Sequence, residues 1–116
     1  MDVFIPRVCI IEVAAVVSRY ADRKLAIKVS RRAMMAYEVV DEVTIFEDAW
    51  DIASSTGCSG FDSYFISLAR LKRAILLTDD TGMHNNAKKV GIESLLLREI
   101  DPEDAKNLFN LNSHLG

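Results

Sequence analysis

The chain has 116 residues, half of them hydrophobic, and a formal charge of −3. This is one domain able to bury a core without disulfides or structural metal, and the composition excludes disorder. No apolar stretch approaches a membrane span and the N-terminus lacks the features of a signal peptide, so a cytoplasmic protein with no membrane partner is expected.

Val3-Phe-Ile5 reads as a strand stopped by Pro6. The run Val8-Cys-Ile-Ile-Glu-Val-Ala-Ala-Val-Val17 follows, long enough for a buried helix and apolar except for Glu12. A carboxylate in such surroundings takes up a proton or sits against a cation or metal, because desolvating it unpaired is costly. Asp22 caps a second helix to about Val39, with Leu25, Val29, Ala33, Ala36 and Val40 along its core side. Its other side carries Lys24, Lys28, Arg31 and Arg32 at helical spacing, a stripe able to meet phosphates whose plainer reading is a solvated helix face. Val43-Thr-Ile-Phe46 is predicted as a β-branched strand, and a helix is predicted from Glu47 with Trp50 in the core.

After a loop at Gly57 to Gly60, Ser59 is the predicted N-cap of an amphipathic helix carrying Phe61, Tyr64, Phe65, Leu68 and Ala69 on one face. Ala74-Ile-Leu-Leu-Thr78 reads as a buried strand ending at Asp79-Asp80. A polar helical turn then runs to Gly91, a strand covers Ser94 to Leu97, and Asp101-Pro102 opens a last helix. Cys9 and Cys58 lie in different segments without CxxC spacing and read as free thiols, Cys9 in the core. His84 and His114 have no partner at metal-ligand spacing and are predicted on helix surfaces. The order β-α-α-β-α-α-β-α-β-α predicts an α/β chain of three layers, α/β/α, with a mostly parallel sheet and four recognisable strands.

In such a sheet a helix of about ten residues and the strand after it each span about 15 Å in opposite directions, so the path returns to its starting edge. Asp62 opens one such helix and Asp79-Asp80 closes the strand that follows, while Glu12 lies early in the helix after the first strand. All three are therefore expected at the edge carrying the carboxyl ends of the strands, where open α/β sheets bind ligands. Three carboxylates gathered there need a cation between them, and hard oxygen donors without His or Cys suit Mg²⁺ or Mn²⁺ and phosphate chemistry. Each acid has a plainer reading: Asp62 completes a capping box with Ser59, Asp80 caps a turn, and Glu12 is a surface residue on a less buried helix.

In these motifs the chain resembles the PIN-domain ribonucleases, including the VapC-like toxins of toxin-antitoxin pairs. Phe4-Ile-Pro-Arg-Val-Cys-Ile-Ile-Glu12-Val looks like the family's strand, proline and acid-bearing helix; Ser59-Gly-Phe-Asp62 looks like its next acidic helix, and Leu77-Thr78-Asp79-Asp80 like its T-x-D motif. The resemblance implies a metal-dependent endoribonuclease with Glu12, Asp62 and Asp80 as catalytic metal ligands for Mg²⁺ or Mn²⁺. It further implies Thr78, Asp79 and Asn85 behind them, with Asn86 also near the crevice. RNA would be guided by Lys24, Lys28, Arg31 and Arg32, and an antitoxin protein would be the partner. The family begins with a further strand ending in an Asp, the first of four acids, and Asp2 does not replace it. Residues 1–116 are thus read as a single PIN-like domain, N-terminally truncated relative to the family, whose two exposed strand edges favour a homodimer or higher oligomer. The incomplete acid set keeps open an inactive PIN-like scaffold binding RNA or protein. A phosphoacceptor receiver domain fits less well, because its acidic pair would follow the first strand and a Lys the last.

Overall fold

The structure is a computed structural model that describes residues 2–104 and residue 107. Strand β1 (Phe4–Pro6) leads into helix α1 (Val8–Tyr20), and α2 (Arg23–Ala36) folds back on it. Asp22 caps α2, its carboxylate accepting the Leu25 N–H at 2.8 Å. This helix stops at Ala36, because Tyr37 is already extended and starts the path into β2 (Glu38–Val40). The β1 and β2 strands pair in parallel, Phe4 opposite Glu38 and Pro6 opposite Val40.

The second predicted strand lies elsewhere. Val43-Thr-Ile-Phe46 forms the first turns of α3 (Glu42–Thr56), and the strand is the preceding Glu38–Val40. Local β-propensity yields here to burial: Ile45, Ala49 and Ile52, at i, i+4 and i+7, all face the core. Glu42 supports this helix start doubly, as an acid in the first turn and by accepting the Val8 N–H that opens α1. Trp50 points the other way and is 66% exposed, not core.

Helix α3 ends at Gly57, whose φ of 74° is the left-handed cap conformation, and α4 (Gly60–Lys72) begins under its Ser59 cap. Strand β3 (Leu76–Thr78) runs into α5 (Thr81–Lys89), then into β4 (Ser94–Leu96), a 3₁₀ turn (Leu97–Glu99) and a helical start at residues 102–104 capped by Asp101. The rest of that predicted helix, and His114, lie outside the described residues. β3 and β4 form a second parallel pair, with Thr78 opposite Leu96.

Among the described residues the fold is therefore a helix-rich α/β arrangement with four parallel-paired strands, but they form two separate two-stranded sheets instead of one. A strand pair alone is marginal in water, so each relies on the helices laid against it. The α4 helix serves both, touching β1 and β3. Leu68 joins Val40 and Ile45 in one core, while Ile66 and Ala69 join Ile52, Leu76, Met83 and Ala87 in the other.

Three further expectations are corrected by this packing. The apolar run of α1 rests mainly on α2 and β1, so Ile10 is its one buried residue, Ile11 is 66% exposed and Cys9 is half-buried. The core face of α2 is centred on buried Ala26 with Val29 and Ala33 half-buried, leaving Leu25 and Ala36 exposed. His84 is buried instead of lying on a helix surface, its Nδ1 hydrogen-bonded to the Ser94 hydroxyl at 2.8 Å. Among the described residues no helix is long and apolar enough to cross a membrane.

Candidate functional site

Two helix starts and one strand end build an acidic cleft. At the first helix start, the Ser59 hydroxyl accepts the Asp62 N–H at 3.1 Å, which places Asp62 in the first turn of α4. At the second, Asp80 caps α5 by accepting the Met83 N–H at 3.0 Å, while its own N–H donates to the buried Thr78 hydroxyl at 3.0 Å. Thr78 thereby fixes the turn that aims Asp80. Gly82 leaves room for it, since a Cβ there would stand 3.1 Å from Asp80 Oδ1.

The cleft between them has a volume of about 510 Å³ and is lined by Phe61, Phe65, Leu77 and Met83 on the apolar side and by Asp62, Thr78, Asp79 and Asp80 on the polar side. Burial pushes the Asp62 carboxyl above its ordinary value, the charge of Asp80 pushes in the same direction, and a hydrogen bond with Ser59 opposes them. The two acids, 18 positions apart in the chain, thus line the same cleft. Asp79 instead turns to Arg98, which approaches its carboxylate at 3.2 Å and also donates to its carbonyl.

The remaining expected site residues fall elsewhere. Glu12 is exposed on α1 and outside the cleft lining; its charge is felt by the Cys9 thiol, which burial and Glu12 together push up. Among the described residues no three carboxylate, His or Cys side chains gather closely enough to hold a metal ion. Asn85 is exposed and Asn86 half-buried on α5, and neither lines the cleft. Lys24, Lys28, Arg31 and Arg32 all lie along α2 and are exposed.

The sequence reading missed the aromatic wall, in which the Phe61 and Phe65 ring centroids stand 5.0 Å apart, and the Arg98 latch. The latch was legible in principle: residues just beyond the ends of two paired parallel strands sit side by side, and Asp79 follows β3 as Leu97-Arg98 follows β4.

The raised Asp62 carboxyl has a consequence for stability. A carboxyl whose folded pKa exceeds its unfolded value destabilises the fold where it is ionised, and the penalty disappears as pH falls through the folded value. Asp62→Asn is therefore expected to raise the melting temperature at neutral pH by a few degrees at most, given the partial exposure of the group. The difference from the parent chain should close as pH drops through and below the carboxylate range. Thermal denaturation followed by circular dichroism at several pH values checks this, and a variant less stable at pH 7 than at pH 4, relative to the parent, would reverse the sign.

Comparison with curated proteins returned no match to the chain. The family profile described as the PIN domain matches residues 1–89, a span that includes β1 through α5 and hence both acids of the cleft. The family is one of nuclease-type function whose members generally use divalent metal ions, and by this match the chain belongs to the PIN-domain family.

Proposed function

We propose that this chain is a metal-dependent endoribonuclease whose working carboxylates are Asp62 and Asp80. The observation carrying the reading is that these two acids, supplied by different elements, line one cleft with an apolar wall. Their donor set fits Mg²⁺ or Mn²⁺, hard ions that accept one or two carboxylates and keep several waters. Bound there, such an ion supplies charge neutralisation at the scissile phosphate and an activated water.

The chain's own residues do the rest. Thr78 holds the turn that presents Asp80, Arg98 engages the Asp79 carboxylate, and Phe61 with Phe65 offers rings on which a splayed base stacks. On α2, Lys24, Lys28, Arg31 and Arg32 meet phosphates of the RNA strand. Every phosphate of a single strand that is no longer neutralised lowers the salt slope of log K by about 0.7, so Lys28→Ala with Arg31→Ala is expected to flatten it by about 1.4 and weaken binding to unrelated RNA sequences alike. Fluorescence anisotropy at several salt concentrations reads this; an unchanged slope would remove α2 from the RNA path. The toxin role and an antitoxin partner belong to the same reading, with the VapC-like motif spacing as their support.

Cleavage of single-stranded RNA that EDTA abolishes and Mn²⁺ or Mg²⁺ restores is the expected result. Glu12, exposed and outside the cleft, is expected to matter less than either aspartate, so Glu12→Gln should lose less activity than Asp62→Asn. The position of Glu12 also favours a second reading, a PIN-like scaffold that binds RNA or protein without turnover. RNA binding that persists in EDTA, with no cleavage in any divalent metal, would select it.

A further inference from the structure

Helix α3 presents an outward stripe that the proposed nuclease does not use. Val43, Phe46, Glu47, Trp50 and Asp51 recur there at helical spacing; Val43 is 85%, Phe46 50% and Trp50 66% exposed. Phe46 and Trp50 meet edge to face with centroids 6.0 Å apart, so the two rings form one continuous ridge. Beside it runs a groove of about 910 Å³ whose lining includes the acids Glu42, Glu47, Asp48 and Asp51 and no basic residue. Asp48 is engaged by Arg70 at 2.8 Å and Ser67 at 2.7 Å, and the 70% exposed Asp51 carboxylate stands 3.9 Å from the same guanidinium, whereas Glu47 makes no ion pair among the described residues.

A surface of exposed aromatic rings rimmed by negative charge fits a helix that is apolar along one line and basic along the next. The chain carries such a helix. On α2, Lys24, Ile27, Lys28, Arg31, Met34 and Met35 follow the same spacing, Met35 is 82% and Met34 51% exposed, and none of these bases forms an ion pair among the described residues. We infer that α3 is a self-association surface, receiving the basic, methionine-bearing face of α2 from a second copy of this chain. Trp50 and Phe46 pack against the flexible methionines, and Glu47 and Asp51 face Lys28 and Arg31. Because the two faces differ, the contact joins unlike surfaces, closing into a pair or ring or extending along a row according to the rotation between copies. It occupies the stripe proposed to meet RNA, so association and RNA binding compete.

Light scattering of the full chain free of RNA is expected to give a mass above 13.0 kDa that rises with protein concentration and falls as salt is raised. Reversing charge on one face, by Lys28→Glu with Arg31→Glu or by Glu47→Lys with Asp51→Lys, should weaken association at least about tenfold. Combining both reversals in one chain should restore it to within about threefold, which a merely misfolded variant could not do. Association should also shift the Trp50 emission to shorter wavelength. A 13.0 kDa species at about 100 µM in low salt would overturn the inference. So would association untouched by either reversal, or aggregates that ribonuclease treatment disperses, since the latter are bridged by RNA. The failure of this contact leaves the Asp62 and Asp80 assignment standing, because cleavage is measured at concentrations where the chain is dilute.

Discussion

Asp80→Asn is expected to lower metal-dependent RNA cleavage by at least about 100-fold while leaving the fold in place. Removing even an outer partner of a metal ligand typically costs 10- to 100-fold, and a missing ligand costs no less. The substitution is conservative because the cap survives: the asparagine side-chain oxygen still accepts the Met83 N–H now held by Asp80 at 3.0 Å, and asparagine is as good an N-cap as aspartate. Asp62→Asn should lose activity to a similar degree, since it removes the same negative charge from the same cleft. With asparagine at position 62 the charge that burial disfavours is gone, and Asp80 is left as the single carboxylate of the pair. Cleavage of a fluorogenic RNA across a Mn²⁺ titration separates the two ways to fail. If the aspartates are metal ligands, both variants require more metal for half-maximal rate; an unchanged metal requirement and rate in both variants would reject the assignment. The double variant should be little worse than either single one, because groups acting as a unit lose most of their effect together.

Much of this site could be read before any coordinates. Ser59 before Asp62, and the Leu77-Thr78-Asp79-Asp80 end of an apolar run, are local signals: a cap and a strand terminus need only a few neighbouring residues to define them, and both are found as expected. The element order was equally legible, since hydrophobic period and turn residues are local too. What failed was set by distant packing. Val43, Thr44 and Ile45 carry strand propensity, yet the burial of Ile45 with Val40 and Leu68 makes their segment helical. Trp50 lies on the helix face opposite Ala49 and Ile52, and no feature of its neighbours told which of two half-apolar faces would find a partner. Glu12 is the sharpest instance. Its nine apolar flankers describe a helix able to be buried, but burial needs a surface to receive it, and α1 meets mainly α2 and β1. The division of the strands into two sheets has the same origin, because strand order and pairing are properties of the whole chain.

The second large effect falls on α4, a helix that packs against a strand of each sheet. Ile66 is fully buried in the cluster with Ile52, Leu76, Met83 and Ala87, on the same helix as Leu68 of the other cluster and one turn beyond Asp62. Ile66→Ala removes three carbons and leaves a cavity between a helix and a two-stranded sheet, a site with little means of collapsing. The expected loss is about 3 kcal/mol, where Ile66→Val should cost about 1 kcal/mol. Against a total stability on the order of 5–15 kcal/mol for a domain of this size, the alanine variant should melt roughly 10 °C or more below its parent. Because Ile66 and Leu68 anchor the same helix in different cores, its loosening reaches both sheets, so unfolding should remain a single transition with an unchanged urea m-value. Activity should fall in parallel with the folded fraction and recover on cooling, which distinguishes this variant from Asp80→Asn, inactive while fully folded. Urea denaturation followed by circular dichroism tests both statements. A loss below about 1 kcal/mol for the alanine variant would mean that the cluster around Ile66 repacks freely, and an early transition confined to one half of the molecule would mean that the two sheets fold independently of their shared helix.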